Sequence, residues 1–200
     1  MPDLTDAFAI TMMWSQDLEI MHRLASQAPG PIIEIGPYIG GSTVCLARGM
    51  RSDQRLITIE CGGAYLDHPR IPNSDIISDL QANLRRLEVR DRVDVVEGYS
   101  HSPGVIDRVG VMLRGQRAGL LFIDADGEIA RDLRGYAPFL SERCLLAFDD
   151  YNVDNEKANV VRSGVDQAVA VGAIVPISAD NPVWFGCVNG EQGLRRLRQL

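Results

Sequence analysis

The stretch from Ile32 to Arg48, IIEIGPYIGGSTVCLAR, limits what this chain can fold into more than any other. Ile32, Ile33 and Ile35 form a short β-branched run suited to a strand buried on both faces. Gly36 ends the run, Gly40 and Gly41 follow, and Ser42 and Thr43 are placed to cap a helix opening with Val44, Cys45, Leu46 and Ala47. The unit reads as strand, glycine-rich turn, helix. Such a turn lets a ligand approach the backbone closely and aims unpaired helix N–H groups at it.

The spacing selects the ligand. A dinucleotide fingerprint needs a glycine two residues after the first, so that a pyrophosphate can lie against the backbone. Tyr38 stands there, which disfavours NAD and FAD. What remains is E-x-G-x-x-x-G-x-S, at Glu34, Gly36, Gly40 and Ser42. It resembles the first motif of class I S-adenosylmethionine-dependent methyltransferases. The plainer reading is an ordinary strand-to-helix turn of some other α/β protein.

The rest of the chain repeats the unit. Arg55–Glu60 is a second strand ending in an acid; a carboxylate there can accept both hydroxyls of a ribose. Residues 61–73 have two glycines, two prolines and little periodicity, so they read as a long loop. The loop is a candidate lid with Tyr65 and His68 as its reactive side chains, or a plain surface insertion. Ser74 is placed to cap a helix carrying Ile76, Ile77, Leu80, Leu84 and Leu87. Val93–Val96 is the third strand, followed by Gly98, Tyr99 and Ser100, which are placed to flank an adenine. Ser102-Pro103 opens the next helix. Residues 119–124 are the fourth strand, a helix spans 128–140, and Cys144–Phe148 is the fifth strand. A helix over 154–171 precedes two strands, 173–177 and 183–188, joined by Ser178–Pro182 as an antiparallel hairpin. The alternation predicts an α/β fold: a Rossmann-like, doubly wound, mostly parallel seven-stranded sheet, helices on both faces, with a C-terminal antiparallel β-hairpin. The 200 residues suit one such domain. Residues 1–28 read as a helical cover that could also share in the substrate pocket. Residues 190–200 read as a solvated basic amphipathic tail.

Composition narrows the partners. The net charge of −7 argues against a general nucleic-acid surface. Cys45, Cys61, Cys144 and Cys187 form no C-x-x-C pair and read as buried reduced thiols. No signal peptide and no membrane-length apolar run is evident, so the expectation is a cytoplasmic protein away from membranes.

Asp124, Asp149 and Asp150 each end an otherwise apolar strand. If strands four and five are neighbours, these acids crowd one rim of the sheet and repel. A bound Mg²⁺, Mn²⁺ or Ca²⁺ would relieve this. Helix capping and arginine pairing are the alternative. FIDAD at 122–126 with FDDY at 148–151 resembles the metal-dependent O-methyltransferases of the catechol and caffeoyl-CoA type. EIGPYIGGST is similar to the bacterial cephalosporin-hydroxylase and macrolide-sugar tailoring group. The resemblance implies that Asp124, Asp149 and Asp150 bind Mg²⁺, that Glu60 holds the S-adenosylmethionine ribose, and that Gly36–Ser42, Tyr38 included, holds its methionine part. Asp124 and Asp126 count among the cofactor-side candidates too. The family places a lysine or histidine base three residues after the first metal aspartate; Gly127 stands there. His68, Lys157 and His101 are the candidates left.

The expected function is S-adenosylmethionine-dependent, Mg²⁺-dependent methyl transfer to a small-molecule hydroxyl, with a homodimer as the family expectation. The competing readings are the same fold and cofactor with another reaction, a non-catalytic S-adenosylmethionine-binding protein, and a nicotinamide enzyme.

Overall fold

The computed structural model describes residues 3–178 and 182–200. Its centre is β1 (Ile32–Ile35), whose four residues are all buried. Alternate side chains leave it in opposite directions: Ile33 and Ile35 enter one core, Ile32 the other. Glu34 points to the second side, so the strand's one acid is placed inside a hydrophobic layer.

Around β1 lie β2 (Leu56–Glu60), β3 (Val93–Glu97), β4 (Ala118–Ile123), β5 (Leu140–Phe148), β6 (Ile174–Ser178) and β7 (Trp184–Val188). They form one seven-stranded sheet in the order β3-β2-β1-β4-β5-β7-β6. Among these strands β7 alone runs opposite to the other six, antiparallel to both β5 and β6. The expected doubly wound sheet with a terminal hairpin is therefore what forms. The hairpin connection predicted over Ser178–Pro182 includes 179–181, which lie outside the described residues. Edge position explains Pro176, which has no N–H to give to a second neighbour.

The strand order reverses between β1 and β4, which opens a crevice at their carboxyl ends. Single hydrogen bonds carry each ladder past the strand ends: Gly36 N to Ile59 O at 3.0 Å, Asp124 N to Ile35 O at 2.8 Å, Gly98 N to Glu60 O at 2.8 Å, and Asp149 N to Ile123 O at 3.0 Å. The residue that follows each of these strands is thus anchored to the neighbouring strand.

One face packs on α1 (Thr5–Phe8), α2 (Ser15–Gln27), α3 (Gly41–Gly49) and α4 (Ile76–Arg86). The other packs on α5 (Pro103–Met112), α6 (Ile129–Tyr136), α7 (Glu156–Ala170) and α8 (Gly190–Leu197). Phe148 stacks on Trp184, its register partner across β5 and β7, with ring centroids 5.2 Å apart. No helix among the described residues is long and apolar enough to cross a membrane.

Several expectations are corrected. Ser42 and Thr43 do not cap α3; Gly40, in the left-handed region at φ 100°, is its N-cap. Asp75, not Ser74, caps α4, accepting from Ser78 N at 3.0 Å. The helix expected to Leu140 stops at Tyr136, because Pro138 lacks the N–H that would continue it; one 3₁₀ turn follows and β5 starts early, at Leu140. The C-terminal tail is docked rather than solvated: Leu197 is fully buried, and a side chain at Gly193 would meet the Ala173 carbonyl. Cys61 is exposed; it follows β2 at the rim of the crevice.

Candidate active site

The crevice widens into a cavity of about 550 Å³. Each sheet strand of its floor contributes the residues just beyond its carboxyl end: Gly36 to Tyr38 after β1, Cys61 after β2, Gly98 to His101 after β3, Asp124 to Asp126 after β4, Asp149 and Asp150 after β5. Glu60, the last residue of β2, and Ser42 of α3 complete the floor. Ile10, Thr11, Met12, Met13 and Trp14, between α1 and α2, form a wall, as do Val153 and Pro182. The N-terminal segment is thus both cover and pocket lining.

The glycine turn is built by packing as well as by φ. Gly36 sits at φ 86°, and a Cβ there would collide with the Asp124 backbone carbonyl. Glu34 is fully buried and does not reach the cavity. Its carboxylate accepts from Ser42 Oγ at 2.6 Å and from Thr43 Oγ1 at 2.7 Å. Burial raises its pKa, with those two hydroxyls working against the rise. The motif's acid therefore ties β1 to α3 across the turn. Gly40 likewise lies under the turn, against Leu80 of α4, rather than at the cavity.

Glu60 is 7% exposed, and that exposure faces the cavity. Its Oε2 accepts from Tyr38 N at 3.1 Å and its Oε1 from Gly62 N at 3.0 Å. Burial raises its pKa, opposed by these N–H groups. Tyr38 holds φ 53°, uncommon outside glycine. Its hydroxyl donates to the Ile71 carbonyl.

The 61–73 loop is tied down. Tyr65 and Asn73 pair in an antiparallel bridge. His68 stacks on Tyr38 with centroids 4.9 Å apart, and Tyr65 meets the His68 ring edge-on at 5.0 Å. His68 Nδ1 accepts from Ile71 N at 2.9 Å, and burial lowers the imidazole pKa. A neutral ring whose Nδ1 accepts carries its proton on Nε2.

On the rim beyond β3, Tyr99 is exposed and lies 5.7 Å from the His101 ring. Ser100 turns its hydroxyl away, donating to Asp132 Oδ1 at 2.8 Å. Asp132 also meets Arg131 at 3.1 Å, and Arg131 grips Asp126 through two bonds of 2.8 and 2.9 Å. Burial acts to raise the Asp126 pKa, but the Arg131 pair outweighs it and leaves the carboxyl lowered. This network was not legible in the sequence, because Arg131 and Asp132 look like any polar pair on a helix.

At the opposite rim, Asp124, Asp149 and Asp150 do come together: one oxygen from each lies within 4.8 Å of the others. Burial, then the Asp124 and Asp150 charges, raises the Asp149 pKa well above its ordinary value. Asp150 holds φ 61° in the left-handed region. Lys157 Nζ sits 2.7 Å from Asp124 Oδ1 and 2.7 Å from Asp150 Oδ2. Burial would lower the Lys157 pKa; the two carboxylates outweigh it and hold the ammonium above its ordinary value. As placed, Lys157 is an ammonium paired with both carboxylates.

Comparison with known proteins gives the family. The model of a family described as "Methyltransferase domain" matches residues 33–151, from β1 to just beyond β5. The chain belongs to this family. The resemblance to class I S-adenosylmethionine-dependent methyltransferases, and the fold expected from it, are therefore borne out. A catechol O-methyltransferase of Mycobacterium tuberculosis is 35% identical over 97 residues, covering 48% of this chain and 36% of that protein. The chain thus spans about a third of the length of that curated relative. Among solved structures, an O-methyltransferase from Bacillus cereus in complex with SAH has a TM-score of 0.68 at 18% identity, over 92% of this chain and 87% of that one. The O-methyltransferase TomG from Streptomyces achromogenes, involved in tomaymycin synthesis and in complex with SAM, has a TM-score of 0.69 at 16% identity, over 95% and 91%. At these identities the two structures show the shared fold.

Proposed function

We propose that this chain is an S-adenosylmethionine-dependent O-methyltransferase acting on a hydroxyl of a small molecule, with a divalent cation, Mg²⁺ first among them, at the three-aspartate rim. One observation carries the reading: a single cavity has Glu60 and the glycine turn on one side and Asp124, Asp149 and Asp150 on the other. The printed names of the relatives, O-methyltransferases with SAM or SAH, support it.

The residues fit the cofactor. Glu60 Oε2 accepts from Tyr38 N and Oε1 from Gly62 N, with the Cys61 thiol 3.4 Å from Oε1, and the carboxylate's remaining acceptor capacity suits ribose hydroxyls. Gly36 lets the turn close against the Asp124 backbone beside the cavity, and Tyr99 offers an exposed ring at the adenine end. The bound cofactor supplies a methyl group already activated on its sulfonium, so the chain's own task is position. The apolar wall of Met12, Met13 and Trp14 seats the acceptor and excludes water.

The three carboxylates also fit a hard divalent cation, being an all-oxygen donor set. Asp124, Asp149 and Asp150 would hold it, and its charge would favour an acceptor oxygen that has lost its proton. A second reading keeps the fold and the cofactor but assigns another reaction or none; it is favoured by the contacts that already engage His68 Nδ1 and the Lys157 ammonium.

The test is a transfer assay with methyl-labelled S-adenosylmethionine against phenols, catechols and sugar hydroxyls, with Mg²⁺ or with a chelator. Label in an O-methyl product, lost with the chelator, is expected. Cofactor binding without transfer to any hydroxyl would favour the second reading.

A further inference from the structure

Lys157 is the only lysine of the chain, and it stands in the first turn of α7. A cation is unfavourable there, because the helix dipole is positive at its N-terminus. What holds the ammonium is the pair of contacts, 2.7 Å each, to Asp124 Oδ1 and Asp150 Oδ2. They belong to two of the three aspartates that form the candidate metal site.

Gly127 makes room for this placement. It sits at φ 89°, and a Cβ on it would lie 3.3 Å from the Lys157 carbonyl oxygen and 3.5 Å from Lys157 Cγ. A longer side chain at 127 would compete with the lysine stem for the same space. Asp150, at φ 61°, adopts a backbone costly for a non-glycine residue, and its carboxylate ends on the ammonium.

We propose that the Lys157 ammonium is the resident counter-ion of the three-aspartate site and competes with a divalent cation for it, so that metal enters only as Lys157 withdraws. The proposal rests on the metal-dependent reading given above. A Mg²⁺ ion bonded at about 2.1 Å to an oxygen that Lys157 already holds would lie within about 5 Å of its Nζ. Two like charges that close, in a site partly shielded from water, repel, and both draw on the same carboxylates.

The test is calorimetric titration of MnCl₂ into wild type, Lys157→Met and Lys157→Arg, each first checked for folding by thermal unfolding. Lys157→Met keeps the stem that packs on Gly127 and removes the charge; it should bind Mn²⁺ at least tenfold more tightly than wild type. Lys157→Arg keeps the charge and should stay within a few-fold of wild type. A second readout needs no variant: with a single lysine, ¹³C-lysine labelling gives one Cε resonance, which should shift with Mg²⁺ along the binding curve.

Equal or weaker Mn²⁺ binding by Lys157→Met, or a Cε resonance unmoved while metal binds, overturns the proposal and leaves the metal-dependent reading standing. Mn²⁺ binding by none of the proteins overturns both. S-adenosylmethionine titrated into the same samples tests the cofactor half of that reading separately.

Discussion

Ser42 Oγ donates to Glu34 Oε1 at 2.6 Å, inside the motif that first suggested a ligand site. The acid and the serine of that motif face each other, with Thr43 Oγ1 completing the set at 2.7 Å. Glu34 shapes the turn that a ligand meets, and is not itself in reach of the cavity.

Glu34→Ala should therefore act through stability. It leaves two buried hydroxyls without their acceptor and opens a cavity between β1 and α3, at a cost of about 3 kcal/mol. Urea unfolding checks this; a midpoint unchanged from wild type would contradict it.

Gly36 and Gly63 both hold positive φ, at 86° and 89°, and differ only in surroundings. A Cβ at Gly36 would strike the Asp124 backbone, whereas one at Gly63 would meet nothing within 4 Å. Gly63→Ala should cost about 1 kcal/mol, from backbone strain alone. Gly36→Ala should cost more than about 3 kcal/mol or yield no soluble protein. Thermal unfolding of the pair separates strain from collision, and equal effects would show that the turn tolerates movement.

His68 organises the 61–73 loop through Nδ1 and its stack on Tyr38. His68→Ala should speed amide hydrogen exchange at Ile71 roughly fivefold, the equivalent of one lost hydrogen bond of about 1 kcal/mol. Exchange at wild-type rates would mean that the Tyr65–Asn73 bridge alone holds the loop.

Burial, with Asp124 and Asp150 beside it, raises the Asp149 carboxyl well above its ordinary 3.8. The native state then binds this proton more tightly than the unfolded chain does. Its stabilising contribution is complete below about pH 3.8 and is lost as pH rises through the raised native value. In metal-free protein, Asp149→Asn should be more stable than wild type at pH 8 and lose that advantage toward pH 4. The gain is about 1.4 kcal/mol for each unit by which the native value exceeds the unfolded one. Urea midpoints across this range decide; a difference constant with pH would contradict the assignment.

Periodicity and punctuation made the sheet legible. Apolar runs ended by Gly36, Glu60, Asp124 and Asp149 marked the strand tips, and the ladder continues one residue past most of them. Asp124, Asp149 and Asp150 could be grouped because an acid at the end of a buried run has few other places to be. What escaped depends on side chains meeting across the fold. Lys157 was visible as a lone lysine but not as a bridge between Asp124 and Asp150. The chain Asp126–Arg131–Asp132–Ser100 joins residues up to 32 apart, with no periodic signature. The docking of α8 was hidden because a basic amphipathic helix looks the same in solvent as it does with Leu197 in a core.

The central claim is that the cavity holds S-adenosylmethionine through Glu60, and calorimetric titration of the cofactor into wild type and Glu60→Gln tests it most directly. Wild type should bind, and Glu60→Gln, which keeps the size but loses the charge, should bind at least about tenfold more weakly, a loss of about 1.4 kcal/mol. No binding by wild type, or equal binding by both, would contradict the account.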